Sequence, residues 1–120
     1  MDTILFKLDN LVTLHQGVTP DEAQPIYEKV ADNLRMGKIV ELDFENIELA
    51  TTAFLNVLIG ALYKDYTTEQ LKDRLVLKHI SSDMATRIKK VTDNAKLFYS
   101  NKQQFEEILD DVIYGDGNKN

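Results

Sequence analysis

The pattern of apolar and polar residues near the N-terminus indicates extended structure. Residues 3–8 (TILFKL) and 11–15 (LVTLH) alternate loosely and are rich in residues that favour β-strands. Asp9 and Asn10 separate the two segments with residue types that are common in turns. We therefore predict a β-hairpin at the start of the chain.

A helix start follows this segment. Residues 19–22 (TPDE) supply an N-cap hydroxyl, a proline at the first helical position and a glutamate three residues after the cap. We predict a helix that runs to about Met36, because Gly37 can end it in the left-handed conformation. Pro25 lacks a backbone N–H, so we expect the regular helix to begin only near Gln24. The predicted core stripe of this helix consists of Ile26, Val30, Ala31 and Leu34.

Two further strands and an intervening helix are predicted from residue 38 onwards. Residues 38–44 (KIVELDF) have few polar interruptions, which is typical of a central strand that is buried on both faces. A second helix from about Thr52 to Tyr66, a charged turn and a strand at residues 75–80 (LVLKHI) follow. This succession of strand, helix and strand predicts a parallel, right-handed crossover.

The C-terminal part is predicted to be mainly helical. Residues 81–83 (SSD) cap a third helix, residues 97–99 (LFY) form a short edge strand, and Asn101 caps a last helix. The order ββαβαβα indicates an α/β sandwich with a mixed sheet of four to five strands and helices mainly on one side. We predict a single domain over residues 1–114 and a flexible tail at residues 115–120.

The composition narrows the classes of function. The chain has 120 residues, no cysteine and a formal net charge of -6. The lack of cysteine excludes disulfides and cysteine-based zinc sites, and the scattered basic residues predict no nucleic-acid partner. No apolar stretch reaches the roughly 20 residues of a membrane span, so we expect no membrane partner and a cytoplasmic protein.

The predicted second helix is apolar around most of its circumference. Only Asn56, Gly60 and Lys64 form a polar strip along it. The surplus apolar surface, which includes Val57, has two interpretations: it packs beneath the C-terminal helices, or it faces another protein.

Thr51 and Thr52 stand where the chain enters this helix. Thr51 is the predicted N-cap, whereas Thr52 has no capping role and threonine is only a modest helix former. A phosphate on Thr52 would face free backbone N–H groups and the positive end of the helix dipole. The pattern therefore permits a phosphorylation switch at Thr52.

His15, His79 and Asp43 are the candidates for catalysis or metal binding. Both histidines lie at predicted strand ends, but neither has a companion at the sequence spacing of a metal site. Asp43 ends the central strand, where ligands of α/β sheets gather, but no glycine-rich phosphate loop or nucleophile elbow follows it. We therefore predict no catalytic residue, no metal site and no cofactor.

Residues 42–60 (LDFENIELATTAFLNVLIG) resemble the signature of the STAS domain, the fold of bacterial anti-sigma-factor antagonists. That signature is an apolar strand ending in Asp-aliphatic, a short loop, Asp-Ser-Ser-Gly and a leucine-rich helix. On this resemblance Asp43 takes the strand-end aspartate, Thr51 the motif aspartate and Thr52 the phosphoacceptor serine, while Phe54 replaces the glycine. The chain is most similar to a small bacterial STAS-like family of unassigned function, whose members carry LDF, a short loop, hydroxyl residues and a Phe-led helix.

The resemblance implies a non-enzymatic regulatory module, anti-sigma-factor antagonist-like, that binds a histidine-kinase-like ATPase or an anti-sigma-type protein and is switched at Thr52. An alternative is an assembly protein that forms a homodimer through the second helix, with the threonines only capping. A nucleotide or another anion at the helix start is a further alternative, whereas an enzyme is disfavoured because no nucleophile, base and orienting group can be assembled. The predicted partner-binding residues are Asp43, Thr51, Thr52, Asn56, Val57, Gly60 and Lys64.

Overall fold

Helices and parallel strands alternate along the chain. The computed structural model describes residues 2–113, and the side chains of residues 2–100. The elements are β1 (Thr3–Lys7), β2 (Gln16–Gly17), α1 (Pro20–Arg35), β3 (Ile39–Asp43), β4 (Leu49–Ala50), α2 (Thr52–Leu58), α3 (Thr68–Arg74), β5 (Leu75–Lys78) and α4 (Ser82–Ile113), with short 3-10 helices at Leu8–Asn10 and Gly60–Lys64. In this part of the chain no helix is both long and apolar enough to cross a bilayer. The predicted tail at residues 115–120 lies outside the described residues.

The strands form two parallel sheets. β3 lies between β1 and β5 in a three-stranded sheet, and β2 pairs with β4 in a separate two-stranded sheet. All of these pairings are parallel. The α/β class and the central position of β3 are therefore confirmed, whereas a single mixed sheet of four to five strands is not.

The predicted N-terminal hairpin is wrong. After β1 the chain turns into the 3-10 helix Leu8–Asn10, which places the Leu8 side chain in the core at 1% exposure. Leu14 and His15 then adopt left-handed conformations, with φ of 56° and 59°, so that residues 11–15 cannot continue as a strand. Burial of a leucine side chain is worth about 1.5–3 kcal/mol, which outweighs the weak strand preference of this segment. β1 pairs with β3 instead.

The helices cover one face of the three-stranded sheet. The register aligns two apolar rows on this face, Ile4 with Val40 and Leu75, and Phe6 with Leu42 and Leu77. The opposite face is open, since Leu5 and Val76 are 44% and 37% exposed and Lys78 Nζ lies 3.1 Å from Glu41 Oε1. The prediction that the central strand is buried on both faces is therefore wrong, because strand alternation sends Glu41 to the open side.

The first helix is confirmed, with its predicted cap at residues 19–22 and its predicted end before Gly37. The Thr19 hydroxyl accepts the Glu22 backbone N–H at 3.2 Å, and the Glu22 carboxylate accepts the Thr19 N–H at 3.0 Å, which forms a capping box. Gly37 ends the helix with φ of 83°. The helix starts at this cap rather than near Gln24, because Pro25 is exposed and water can bond to the carbonyl that its missing N–H leaves free. The predicted core stripe is buried.

The second helix is shorter than predicted, and its apolar face is covered within the chain. α2 ends at Leu58, and the chain continues as the 3-10 helix Gly60–Lys64 instead of an α-helix to Tyr66. Gly60 is a poor α-helix former, and it is buried against Val91 and Ala95 of α4. Both features favour the change from the α-helix to the tighter 3-10 helix at this residue. The apolar face packs against α1 and α4, which bury Phe54, Leu55, Leu58, Ile59 and Leu62. The structure therefore offers no support for a dimer through this face.

The C-terminal helices also differ from the prediction. The segment predicted as a charged turn is α3, which a capping box between Thr67 and Gln70 starts. α4 is one continuous helix, so the edge strand at residues 97–99 and the separate helix capped by Asn101 are wrong. No glycine or proline interrupts residues 82–113, and the apolar positions keep a spacing of four and three residues, which favours one helix. These positions are Met84, Ile88, Val91, Ala95 and Phe98.

Candidate functional site

The carboxyl ends of three parallel strands meet at one edge of the sheet. β1 ends at Lys7, β3 at Asp43 and β5 at Lys78, and the register places these three residues side by side. Ligands of open parallel sheets commonly bind outside this edge. Asp43 is the one charged residue that is buried among the side chains of residues 2–100, at 5% exposure. The sheet edge is therefore a candidate site with a buried acid at its centre.

Asp43 is held through a single carboxylate oxygen. Its Oδ1 accepts the Glu45 backbone N–H at 2.9 Å and lies 2.7 Å from Nδ1 of His79. The hydrogen bond from the Glu45 backbone, followed by that from His79, holds the pKa of Asp43 below its usual value. A buried negative charge therefore lies at the sheet edge at neutral pH.

Left-handed residues shape the two loops beside Asp43. Asn46, after β3, has φ of 67°, and His79, directly after β5, has φ of 58°. Asparagine and histidine adopt this conformation more readily than most other non-glycine residues, although each does so at some cost. The turn at His79 brings its ring to a carboxylate that is 36 positions away in the sequence.

A second histidine and aspartate pair lies close to the first. His15 Nδ1 is 2.5 Å from Asp9 Oδ1. Asp9 and Asp43 line one cavity of about 150 Å³, whose other lining residues are Lys7, Asn10, Glu45 and Asn46. His15 lines a neighbouring cavity of about 320 Å³ that shares Asn46. The edge of the sheet is thus a polar and mainly acidic pocket with two imidazoles beside it.

The Asp9 and His15 pair makes a testable prediction about pH. The hydrogen bond to Asp9, followed by the charge of the same carboxylate, raises the pKa of His15 above its ordinary value of 6.5. Because this pKa is higher in the folded chain than in the unfolded chain, the pair stabilises the fold fully below the unfolded-state value and less as the pH rises through the folded-state value. An NMR titration should show the His15 ring titrating above 6.5, and Asp9→Asn should lower its midpoint. A midpoint that Asp9→Asn leaves unchanged would contradict the pair.

The start of α2 is the second candidate region. Thr51 is confirmed as the N-cap, because its Oγ1 accepts the Phe54 backbone N–H at 3.1 Å. The same hydroxyl donates to the Val18 carbonyl at 2.5 Å and so ties α2 to the segment after β2. Thr52 is exposed, and its hydroxyl forms no hydrogen bond with another residue whose side chain is described. Arg87 of α4 lies near, since its Nη1 donates to the Ala50 carbonyl at 3.1 Å.

The remaining predicted partner-binding residues lie on α2 and on the 3-10 helix after it, and two of them line a cleft beside α4. Asn56 is exposed and Gly60 is buried, and both line a cleft of about 260 Å³. Its other lining residues are Asn94, Ala95, Phe98 and Tyr99 of α4. Phe98 is 59% exposed, and its ring stands edge-on to Tyr99 with 4.9 Å between centroids. Val57 is half-buried against the core, and Lys64 is exposed.

The predicted partner-binding residues thus fall in two places. Asp43 lines the cavity at the sheet edge, which none of the other predicted partner-binding residues lines. Sequence reasoning missed Glu45 and His79 as neighbours of Asp43, because it looked for ligands at short spacing along the chain. The predicted parallel pairing of β3 and β5 could have indicated this neighbourhood, because residues at and just after the ends of adjacent parallel strands lie close together.

Comparison with known proteins agrees with the resemblance in residues 42–60. The sequence matches, over residues 22–85, the family described as a STAS-like domain of unknown function. The matched segment extends from α1 to the start of α4 and includes β3, α2 and β5. No curated protein and no solved structure matches the sequence. The chain therefore belongs to the family of STAS-like domains of unknown function.

Proposed function

We propose that this STAS-like domain is a non-enzymatic regulatory module that binds a protein partner along residues 51–64. The observation that carries the proposal is the arrangement on the outer side of α2. Thr52, with an exposed hydroxyl, is four residues from exposed Asn56, and Asn56 opens into the cleft beside Phe98. We call Thr52, Asn56, Gly60, Lys64 and Phe98 the α2 surface.

The α2 surface has the composition of a binding patch. Phe98 exposes more than half of its area next to a cleft, and a partially exposed aromatic ring gains free energy when a partner buries it. Asn56 and Asn94, which line the same cleft, provide polar groups beside it. An apolar centre with a polar rim is typical of protein interfaces.

We further propose that phosphorylation of Thr52 switches this surface. A phosphate adds a charge of about -1.5 to -2 at neutral pH, and next to an apolar contact it weakens binding through its desolvation cost. Thr52 is exposed and therefore accessible to a kinase, and the resemblance to STAS domains assigns it the phosphoacceptor position. Arg87, which is anchored to the Ala50 carbonyl, provides a nearby positive charge that would pair with the phosphate.

The class of partner follows from the family resemblance. STAS domains of the anti-sigma-factor antagonist type bind kinase-like ATPases, so a histidine-kinase-like ATPase or an anti-sigma-type protein is the partner that we propose.

The direct test is phosphate mapping after incubation with the product of any kinase-like gene that lies beside the gene for this chain. We expect phosphate on Thr52 by mass spectrometry after incubation with ATP, and binding of the unmodified chain in a surface-capture assay. Thr52→Glu should weaken that binding about tenfold or more, whereas Thr52→Val should keep binding and lose the phosphate.

Thr68 supplies a matched control for the added charge. Thr67 and Thr68 start α3 as Thr51 and Thr52 start α2, with the first threonine capping and the second at the first helical position. Thr68→Glu should therefore leave partner binding unchanged. Absence of phosphate on Thr52, together with equal binding by Thr52→Glu and the unsubstituted chain, would rule out the switch.

A further inference from the structure

We propose that Asp43, Glu45 and His79 form a binding site for a divalent transition-metal cation, for which Zn²⁺ is the probe. The inference is independent of the proposed function, since these side chains lie at the carboxyl edge of the three-stranded sheet and not on the α2 surface. Two carboxylates and an imidazole are a ligand set that proteins use for zinc and neighbouring metals.

The three side chains already converge. One ligand atom from each of them lies within 4.8 Å of the others. Asp43 Oδ1 and His79 Nδ1 are 2.7 Å apart and share a hydrogen bond. A cation bound between the two atoms would replace the proton that they share. Two ligands of one zinc ion, each at about 2.0–2.2 Å, lie about 3–3.5 Å apart, so a small opening of this pair accommodates the ion.

One carboxylate oxygen of Asp43 accepts no hydrogen bond from residues 2–100. Both hydrogen bonds of the carboxylate go to Oδ1, and no described residue donates a hydrogen bond to Oδ2. The Asp43 side chain is only 7% exposed, and the residue lines the cavity of about 150 Å³. A buried carboxylate oxygen without a donor is costly unless a ligand satisfies it, and a cation does so.

The charges around the cavity favour a cation over an anion. Asp9, Asp43 and Glu45 contribute three carboxylates to the lining, against the single ammonium group of Lys7. Attraction to several carboxylates raises the local concentration of a divalent cation. The imidazole of His79 then favours zinc-like metals over Mg²⁺ and Ca²⁺, which prefer sites made of oxygen ligands alone.

Three protein ligands leave at least one coordination position of the metal for water. This is the arrangement of open zinc sites rather than of closed structural sites, which take four protein ligands. Glu45 and His79 are exposed, the latter with 56% of its side chain, so the ion can enter from solvent without unfolding the sheet edge.

The experiment is a titration of the full chain with ZnCl₂ by isothermal titration calorimetry in a buffer that does not bind metals. We expect one site per chain and a rise of the thermal midpoint with Zn²⁺, because an ion that binds only the folded chain stabilises it. His79→Gln and Glu45→Gln, which change exposed side chains, should each weaken binding about tenfold or more. Titration with Co²⁺ should give the visible absorption of a coordinated ion in the unsubstituted chain and lose it in His79→Gln.

His15→Gln is the matched control, because His15 is also paired with an aspartate but is not part of the three-residue cluster. We expect His15→Gln to bind Zn²⁺ like the unsubstituted chain. We also expect the unsubstituted chain to bind Zn²⁺ more tightly than Mg²⁺. The proposal is overturned if millimolar Zn²⁺ gives neither heat nor a thermal shift, or if His15→Gln reduces binding as much as His79→Gln does. Circular dichroism of each variant confirms that a loss of binding is not a loss of fold.

Discussion

Gly17→Ala is expected to lower the free energy of unfolding by about 1–3 kcal/mol, the usual cost of overpacking a core. A Cβ atom at position 17 would lie 2.7 Å from three ring carbons of Phe54. Phe54 is 1% exposed and lies in the close-packed core, so its ring can move only by displacing neighbouring side chains. The effect is steric, because Gly17 does not adopt a left-handed conformation. Urea denaturation followed by circular dichroism measures the change.

Gly60→Ala is the control for this prediction. A Cβ atom at Gly60 would make ordinary contacts at 3.5 Å with Val91 and Ala95, so we expect a clearly smaller change. A double-mutant cycle with Phe54→Leu adds a second check, since the smaller side chain should reduce the cost of Gly17→Ala. Equal losses at the two glycines, or no coupling to Phe54, would contradict the close contact.

This contact also concerns the proposed binding surface. The Thr51 backbone N–H donates to the Gly17 carbonyl at 2.9 Å, and the Thr51 hydroxyl donates to Val18. A displaced Gly17 would therefore disturb the cap at the start of α2 and the position of Thr52. We expect Gly17→Ala to weaken partner binding as well, although residue 17 is buried and lies outside the α2 surface.

Leu58→Ala is expected to destabilise the fold by about 2–5 kcal/mol. Leu58 is fully buried in the face of α2 that packs against α1 and α4, so the truncation removes apolar contacts and leaves a cavity. Thermal or urea denaturation measures the loss, and analytical ultracentrifugation shows whether the oligomeric state changes.

Leu97→Ala is the matched control, because Leu97 is the same residue type at 62% exposure on α4. Its expected effect is within about 0.5 kcal/mol, as for most surface substitutions. Should Leu58→Ala instead leave stability unchanged and dissociate an oligomer, the apolar face of α2 would be an interface and the hypothesis of an assembly protein would be favoured.

Local signals along the chain were sufficient for several elements. The helix start at residues 19–22, the left-handed end at Gly37 and the cap at Thr51 each depend on residues within one helical turn. The same kind of signal is present at Thr67 and Gln70, where α3 begins in place of the predicted charged turn. Short-range hydrogen bonds make such features readable from residue types alone.

Strand partners were the least predictable part of the fold. Residues 3–8 favour a strand whatever its neighbour is, and the choice between a hairpin and a parallel pairing with β3 depends on what buries Leu8. The break of α2 at Ile59 likewise depends on α4, which packs against Gly60 from more than 30 positions further along the chain.

By itself, the sequence determined the α/β class, the first helix, the central strand, the cap at Thr51 and the STAS-like family of this protein. Each of these depends on residues close together in the chain or on one contiguous motif. Only the tertiary structure decided that β1 pairs in parallel with β3, that the sheet has one open face, that the apolar side of α2 is internal, and that His79 meets Asp43. These features depend on contacts between distant segments, whose free energy is set by packing in three dimensions and leaves little trace in local residue patterns.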